Sequence, residues 1–75
     1  IMRVTKKTLY LSWGYFKLMF IKFILDNKEV TYEELQEKFN NLEVGYDWED
    51  CIVLYEVKAD GALVFETNRI SYIGG

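Results

Sequence analysis

Histidine and proline are absent from this chain, and cysteine occurs only once, as Cys51. One cysteine excludes a disulfide within the chain, and without histidine no cysteine- and histidine-based zinc site is available. The glycines are isolated or terminal, so no glycine-rich loop is present to hold a phosphate. We therefore expect no metal, no cofactor and no enzymatic activity, and the unpaired cysteine indicates a cytoplasmic location.

A long uninterrupted apolar run is also missing. The stretch from Leu9 to Leu25 is interrupted by Ser12, Gly14, Lys17 and Lys22, which makes it a poor membrane span. The 75 residues form one domain, residues 1–75, and 51% of them are hydrophobic and 17% aromatic. Since a chain this short removes only about 60% of its unfolded surface from water, we expect association with a partner to stabilise it.

Charge is distributed unevenly along the sequence. Residues 1–28 contain six cations and one acid, which gives +5, whereas residues 29–75 contain three cations and eleven acids, which gives −8. The sum of −3 is the net charge of the chain. A basic end joined to an acidic body predicts self-association in alternate orientation, or different partners for the two ends.

The first apolar segment predicts a helix from Leu9 to Asp26 that follows a basic arm, residues 1–8. At 100° per residue its apolar side chains fall on two faces. The aliphatic face contains Leu11, Leu18, Ile21 and Leu25. The aromatic face contains Trp13, Phe16, Phe20 and Phe23. Because one helix seldom needs two core faces, the aromatic face is covered by the arm or the C-terminus, forms a homodimer interface, or docks into a larger assembly.

A second helix is predicted to begin at Thr31. The sequence from Thr31 to Glu34 has the form of a capping box, in which the threonine hydroxyl accepts from an early amide and the glutamate reaches back. Tyr32, Leu35 and Phe39 recur at helical spacing and predict its inner face. Asn40 and Asn41 mark its end.

The third segment, from Asp47 to Lys58, allows two interpretations. Asp47 suits a helix cap, Trp48, Cys51 and Tyr55 recur at helical spacing, and Gly61 suits a helix end. This favours a helix with Cys51 as a small core residue. The alternative is a strand from Cys51 to Lys58 that continues through Asp60 and Gly61 into a meander, because the segment is rich in isoleucine and valine. We expect the helix.

The C-terminal sequence LYEVKADGALVFETNRISYI resembles the last helix and the wing of the winged helix-turn-helix family. This resemblance implies a mainly α fold, with three helices over residues 9–61 and a small antiparallel wing of two or three strands over residues 62–73 that turns at Thr67 and Asn68. In that family the third helix enters the major groove of DNA and the wing contacts the flanking backbone.

The resemblance implies a DNA-binding protein that regulates transcription, and the aromatic face of the first helix predicts that it acts as a homodimer. Its candidate contacts with double-stranded DNA are Arg3, Lys6, Lys7, Lys28, Lys58 and Arg69. However, the outward face of the expected third helix would carry Glu49, Val53 and Glu56, and carboxylates repel phosphates. The alternative is therefore a protein-interaction module that presents these three residues to a basic partner in a nucleic-acid-related assembly.

Overall fold

The computed structural model describes residues 1–43 and 47–72 of the chain. In chain order its elements are β1 (Met2–Thr5), α1 (Lys6–Met19), β2 (Lys22–Leu25), β3 (Lys28–Val30), α2 (Tyr32–Asn40), β4 (Cys51–Val57), β5 (Ala62–Phe65) and β6 (Ser71–Tyr72). Single 3-10 turns occur at Trp48–Asp50 and Thr67–Arg69. The described chain is therefore an α+β fold.

The strands form one mixed sheet in the order β1-β4-β5-β2-β3, and β6 pairs with the beginning of β4. Among these described strands β2 and β5 run parallel, while the other pairs are antiparallel. α1 connects β1 to β2, and α2 lies between β3 and β4. Both connections cross over the sheet because each joins strands that are not neighbours.

Both helices pack on the same face of the sheet and bury a core between the two layers. The strand residues that face the helices alternate along each strand, as Val53 and Tyr55 do in β4 and Leu63 and Phe65 do in β5. The buried core cluster contains Leu9, Trp13, Phe16, Phe23, Leu25, Leu35, Phe39, Val53, Leu63 and Phe65. Neither helix of the described chain has the length and apolarity that crossing a membrane requires.

The predicted winged-helix fold is wrong. The described residues contain two α-helices and a six-stranded sheet, whereas a winged helix has three helices and a small wing. The decisive difference lies in the third segment, which forms the interior strand β4 between β1 and β5 instead of a recognition helix. The roles that the resemblance implied for a third helix and a wing therefore have no structural basis here.

Residues Cys51–Val57 form a strand because alternation and β propensity agree with each other. Ile52, Val53, Tyr55 and Val57 are β-branched or aromatic, and alternate residues point to the helix layer. Asp47 does cap a helical turn, since its carboxylate accepts from the Glu49 amide at 3.0 Å, but that turn ends at Asp50. The strand interpretation of this segment is confirmed.

Gly61 serves the turn of the β4–β5 hairpin and does not end a helix. Its φ is +87°, a left-handed conformation that glycine adopts without a steric penalty. The Lys58 amide donates to the Ala62 carbonyl at 2.9 Å, and the Ala62 amide donates to the Asp60 carboxylate at 3.1 Å. The Asp60-Gly61 turn of the alternative interpretation is thus observed.

The first helix is shorter than predicted and begins earlier. Thr5 caps it, because its hydroxyl accepts from the Thr8 amide at 3.2 Å, and it ends at Met19. Beyond Phe20 the chain is extended, and Phe23 and Leu25 point into the core at the spacing of a strand. Residues 2–5 of the predicted arm form the edge strand β1.

Asp26 and Asn27 form the two-residue turn of the β2–β3 hairpin. Both have positive φ, 52° and 67°, which these two residue types tolerate better than most. The Asp26 carboxylate also accepts from the amide of Thr67 at 2.8 Å and from its hydroxyl at 2.9 Å. The turn therefore anchors the chain that leaves β5.

The second helix is as predicted. The Thr31 hydroxyl accepts from the Glu34 amide at 3.1 Å and donates to the Glu34 carboxylate at 3.2 Å, which is the expected capping box. Leu35 and Phe39 are buried, and Tyr32 is half-buried against the core. Local sequence signals were sufficient for this element.

The predicted wing strands exist, but they form no wing. β5 and β6 do not pair with each other, because each pairs with β4 on the same side. The 3-10 turn at Thr67–Arg69 separates them. The predicted second strand extended to residue 73, which lies outside the described residues.

Candidate interaction surface

The aromatic face of α1 forms the centre of the hydrophobic core. Trp13 and Phe16 have only 4% and 3% of their surface exposed. The Trp13 ring lies 6.0 Å from the ring of Phe39 and 6.3 Å from that of Phe65, which places it between both helices and the sheet. Its indole N–H has no acceptor among the described residues, so apolar packing holds it in place.

The predicted dimer interface therefore requires correction. Trp13, Phe16 and Phe23 are buried within the chain itself, and Phe20 is half-buried against the same core. These rings are unavailable to a second copy because the helix layer and the sheet already enclose them. The alternative prediction named the arm or the C-terminus as the cover, whereas α2 and the strands of the sheet enclose these rings.

The aliphatic face of α1 points to solvent instead. Leu11, Tyr15, Leu18 and Met19 follow each other at i, i+4, i+7 and i+8, and their exposed fractions are 77%, 59%, 86% and 57%. Ile21, just after the helix, is 96% exposed. We call these five residues the outer stripe. An apolar stripe of this kind on an otherwise folded domain marks a surface for interaction.

Gly14 lies within the outer stripe, between Leu11 and Leu18 on the helix surface. Glycine in a helix interior destabilises it by about 1 kcal/mol relative to alanine. Apart from residues 13–15 and the backbone of its own helix, a β-carbon at Gly14 would have no heavy atom of the described chain within 4 Å, so no packing contact there requires a glycine. The absent side chain leaves a gap in the outer stripe, which we call the notch.

The charged residues of α1 are all positive. α1 contains Lys6, Lys7 and Lys17 and no acid. Lys6 is ion-paired, with its Nζ 2.6 Å from Glu49 Oε1, and this hydrogen bond raises the pKa of Lys6. Lys7 and Lys17 are exposed, have no ion pair among the described residues, and remain available to an external anion.

The six predicted DNA contacts do not form one surface. Three of them are ion-paired within the chain: Lys6 with Glu49, Lys58 with Glu56 at 3.2 Å, and Arg69 with Glu66 at 3.3 Å. Arg3 lies in β1, at one edge of the sheet, and Lys28 lies in β3, at the opposite edge. Lys7 is the exposed residue of this set that borders the outer stripe.

The predicted acidic surface is dispersed as well. Val53 is completely buried in β4, facing the helices, because the segment alternates as a strand. Glu56 lies on the opposite face of β4 and is ion-paired with Lys58, whereas Glu49 belongs to the 3-10 turn and pairs with Lys6. A basic partner therefore meets no contiguous patch formed by Glu49, Val53 and Glu56.

Cys51 is a core residue, as the sequence predicted. It is fully buried at the start of β4, and burial raises the pKa of its thiol. Its Sγ donates to the Asp47 carbonyl at 3.6 Å. Burial likewise raises the pKa of Tyr55, on the helix-facing side of the same strand. Neither group has the depressed pKa of a nucleophile.

One concave surface lies at the end of α2. It encloses about 400 Å³, is open on one side, and is lined by Glu34, Glu37, Lys38, Asn41, Leu42 and Glu43. Across residues 1–43 and 47–72, no three cysteine or acidic side chains are grouped so that they could hold a metal ion. Solvated glutamates without a buried polar group do not form a catalytic site, so the outer stripe is the stronger candidate.

The outer stripe was partly visible in the sequence. Periodicity separated Leu11 and Leu18 from the aromatic residues, but it did not show which face the core would use. The deciding signal was the spacing of Phe23 and Leu25 together with the Asp26-Asn27 turn, which is typical of a strand and a hairpin. Once the helix ends at Met19, Ile21 and Leu25 leave the aliphatic face.

Known proteins provide no further assignment for this surface. A comparison of the chain with protein-family models, with curated proteins and with solved structures finds no match in any of the three.

Proposed function

We propose that this chain is a small protein-interaction module that binds a helical segment of another molecule on the outer stripe of α1. The carrying observation is that Leu11, Leu18 and Ile21 are more than three-quarters exposed on a fold that buries its aromatic residues well. A core with Trp13, Phe16 and Phe39 enclosed shows no shortage of apolar packing that would explain this exposure. An external partner does explain it.

The size of the stripe favours reversible binding. Fully burying a leucine, isoleucine or methionine contributes roughly 1.5–3 kcal/mol. Association costs about 4–15 kcal/mol in lost translational and rotational freedom, which offsets much of what five side chains contribute and favours weak binding. Weak binding suits a regulatory or assembly contact rather than a permanent complex.

The surface supports DNA binding less well. The expected recognition helix is a strand, and half of the predicted cationic contacts are already neutralised within the chain. Affinity for a duplex depends on several cations that face the phosphates together. The protein-interaction hypothesis therefore replaces the DNA-binding one, with α1 in place of Glu49, Val53 and Glu56.

A designed amphipathic peptide tests the proposal. The probe is about three heptads long, with leucine at a and d and glutamine at e and g, and carries a fluorophore for anisotropy. We expect the natural chain to bind it and the double variant Leu11→Ser/Leu18→Ser to lose at least about tenfold in affinity. Both substituted positions are exposed, so circular dichroism should show an intact fold for the variant.

The matched control is Val64→Ser. Val64 is half-buried in β5 between Leu63 and Phe65, which face the helices, so it points to the opposite face of the sheet and its replacement should leave the affinity unchanged. Equal binding by the natural chain and the double variant would contradict the proposal. So would the absence of any binding by a chain that sedimentation shows to be monomeric.

A further inference from the structure

We infer that the occupant of the outer stripe is an acidic amphipathic helix of a different protein. This inference rests on the proposed function and specifies the chemistry of its partner. The observation behind it is the combination of an exposed apolar stripe with cations and no acids on the same helix. Charge complementarity of this kind selects partners and increases their association rate.

Two cations of α1 border the stripe. At 100° per residue, Lys7 lies one turn before Leu11, at the N-terminal end of the stripe, and Lys17 lies on the flank that faces α2. Lys17 Nζ is 5.2 Å from the centre of the Tyr32 ring, which holds its ammonium group at that flank. A bound helix with apolar residues in its centre and carboxylates at its edges meets both lysines.

Gly14 favours a helix over a flat surface. A lipid bilayer does not place an ordered side chain into a gap on a helix surface, whereas helix packing places a side chain of one helix into a hole on the other. The notch lies between Leu11 and Leu18 on the helix surface. Apart from residues 13–15 and the backbone of the helix itself, no heavy atom of the described chain lies within 4 Å of the position that a β-carbon of residue 14 would occupy. A side chain from the apolar centre of the partner helix can therefore pack over Gly14.

A second copy of the chain fits less well. A pairing of two stripes would bring together two copies of α1, each with Lys7 and Lys17 beside the stripe and no acid. No carboxylate of either helix would compensate for this accumulation of like charge. Since a like-charge contact opposes the wrong pairing, the lysines disfavour self-association and favour an acidic partner.

Three versions of the designed peptide test the inference, with glutamate, glutamine or lysine at e and g. Like charges at these positions also keep the two charged peptides from pairing with themselves. We expect the glutamate version to bind about three- to tenfold more tightly than the glutamine version at low ionic strength, and the lysine version to bind most weakly. The advantage should shrink as salt is added.

A second set of binding measurements uses variants in which the charges of lysines are reversed. The variant Lys7→Glu/Lys17→Glu should invert the order and bind the lysine version most tightly. The matched control is Lys28→Glu, which reverses an exposed cation in β3, the edge strand opposite β1. This variant should bind the three peptides with the same ranking of affinities as the natural chain. Circular dichroism of each variant checks that the fold is intact.

The remaining outcomes separate this inference from the proposed function. Equal affinity for all three peptides, lost together in Leu11→Ser/Leu18→Ser, would overturn the acidic partner and leave the binding surface in place. A dimer in sedimentation that the same variant dissociates, or binding to vesicles with anionic lipid but to no peptide, would identify a different occupant and also overturn it. If the chain is monomeric and binds neither the peptides nor the vesicles, the proposed function itself is overturned.

Discussion

The two faces of α1 differ in chemistry and in what they contact. The inner face presents tryptophan and phenylalanine to a core formed by α2 and the sheet, whereas the outer face presents leucine, methionine and one tyrosine to solvent. Both faces are apolar, so hydrophobicity alone does not separate core from surface. The core of this domain is determined instead by which side chains fill the space between two layers, and aromatic rings fill more of it.

The largest expected difference between the two faces is in stability. Phe16→Ala should lower the free energy of unfolding by about 3–5 kcal/mol, because it removes a buried ring and leaves a cavity. Leu18→Ala, on the outer face, should change it by no more than about 0.5 kcal/mol. Urea denaturation measures both values. Comparable losses for the two variants would show that the outer face is covered, contrary to the structure.

The next prediction concerns the turn of the β2–β3 hairpin. This turn ends β2, the strand that brings Phe23 and Leu25 into the core beside the inner face of α1. Asp26→Ala should cost about 1–2 kcal/mol, because it removes a residue suited to positive φ and an acceptor for Thr67. Asp26→Asn retains the conformational preference and one side-chain oxygen, so its loss should be smaller. Thermal and urea unfolding measure the loss of stability in both variants. Equal losses would show that the contribution of Asp26 depends on its charge alone.

Gly14 separates stability from binding on the outer face. Gly14→Ala should stabilise the chain by roughly 0.5–1 kcal/mol, because alanine is the better helix former and its methyl group meets no neighbour. The same substitution fills the notch, so affinity for the glutamine-flanked peptide should fall. Urea denaturation and anisotropy on one sample give both numbers. A stabilised variant with unchanged affinity would exclude the notch from the binding surface.

The smallest effect concerns pH and appears only in alkaline solution. Cys51, Tyr55 and Lys6 all have a raised pKa in the folded chain, so the folded state retains protons that the unfolded state releases. The contribution of these three groups to stability should be constant below the ordinary pKa of cysteine, 9.0, and should decrease as pH rises above it. Urea denaturation along a pH series measures this decrease.

The control for the pH series is Cys51→Ala. Removing the buried thiol on the inner side should delay the decrease until tyrosine and lysine begin to ionise, at ordinary pKa values of 10.0 and 10.5. An unchanged onset in this variant would show that ionisation of Cys51 does not contribute to the pH dependence.

Part of the fold was readable from local sequence. The capping box at Thr31 and Glu34 and the inner residues of α2 were predicted because their signals lie within one helix turn of each other. The burial of Cys51 was also predicted correctly, although for a helix. Burial of one residue does not distinguish a helix from a strand, because either element can place a small apolar side chain in the core.

The sheet was not readable in the same way. Residues Cys51–Val57 have a plausible helix cap before them and a plausible helix end after them, and both features belong to turns in the structure. The choice between helix and strand depends on pairing with β1 and β5, which lie far away in the sequence. Local signals contain no information on these partners.

The candidate surface shows the same limit. Sequence periodicity placed Leu11 and Leu18 on one face and Trp13 and Phe16 on another, but only the position of β2 beneath α1 decides which face is enclosed. Predicting a helix to Asp26 kept Ile21 and Leu25 on the aliphatic face and made it resemble a core. The basic character of α1 was visible from the start, in the excess of cations before residue 29.

Thiol labelling of Leu18→Cys in a Cys51→Ala background tests the central claim most directly. We expect the new thiol to react as fast as that of a short unstructured peptide. The glutamate-flanked peptide should slow the reaction in proportion to the fraction of the chain that it occupies. Slow labelling in the chain alone would mean that the outer face of α1 is covered. Fast labelling that the bound peptide does not slow would mean that binding takes place elsewhere.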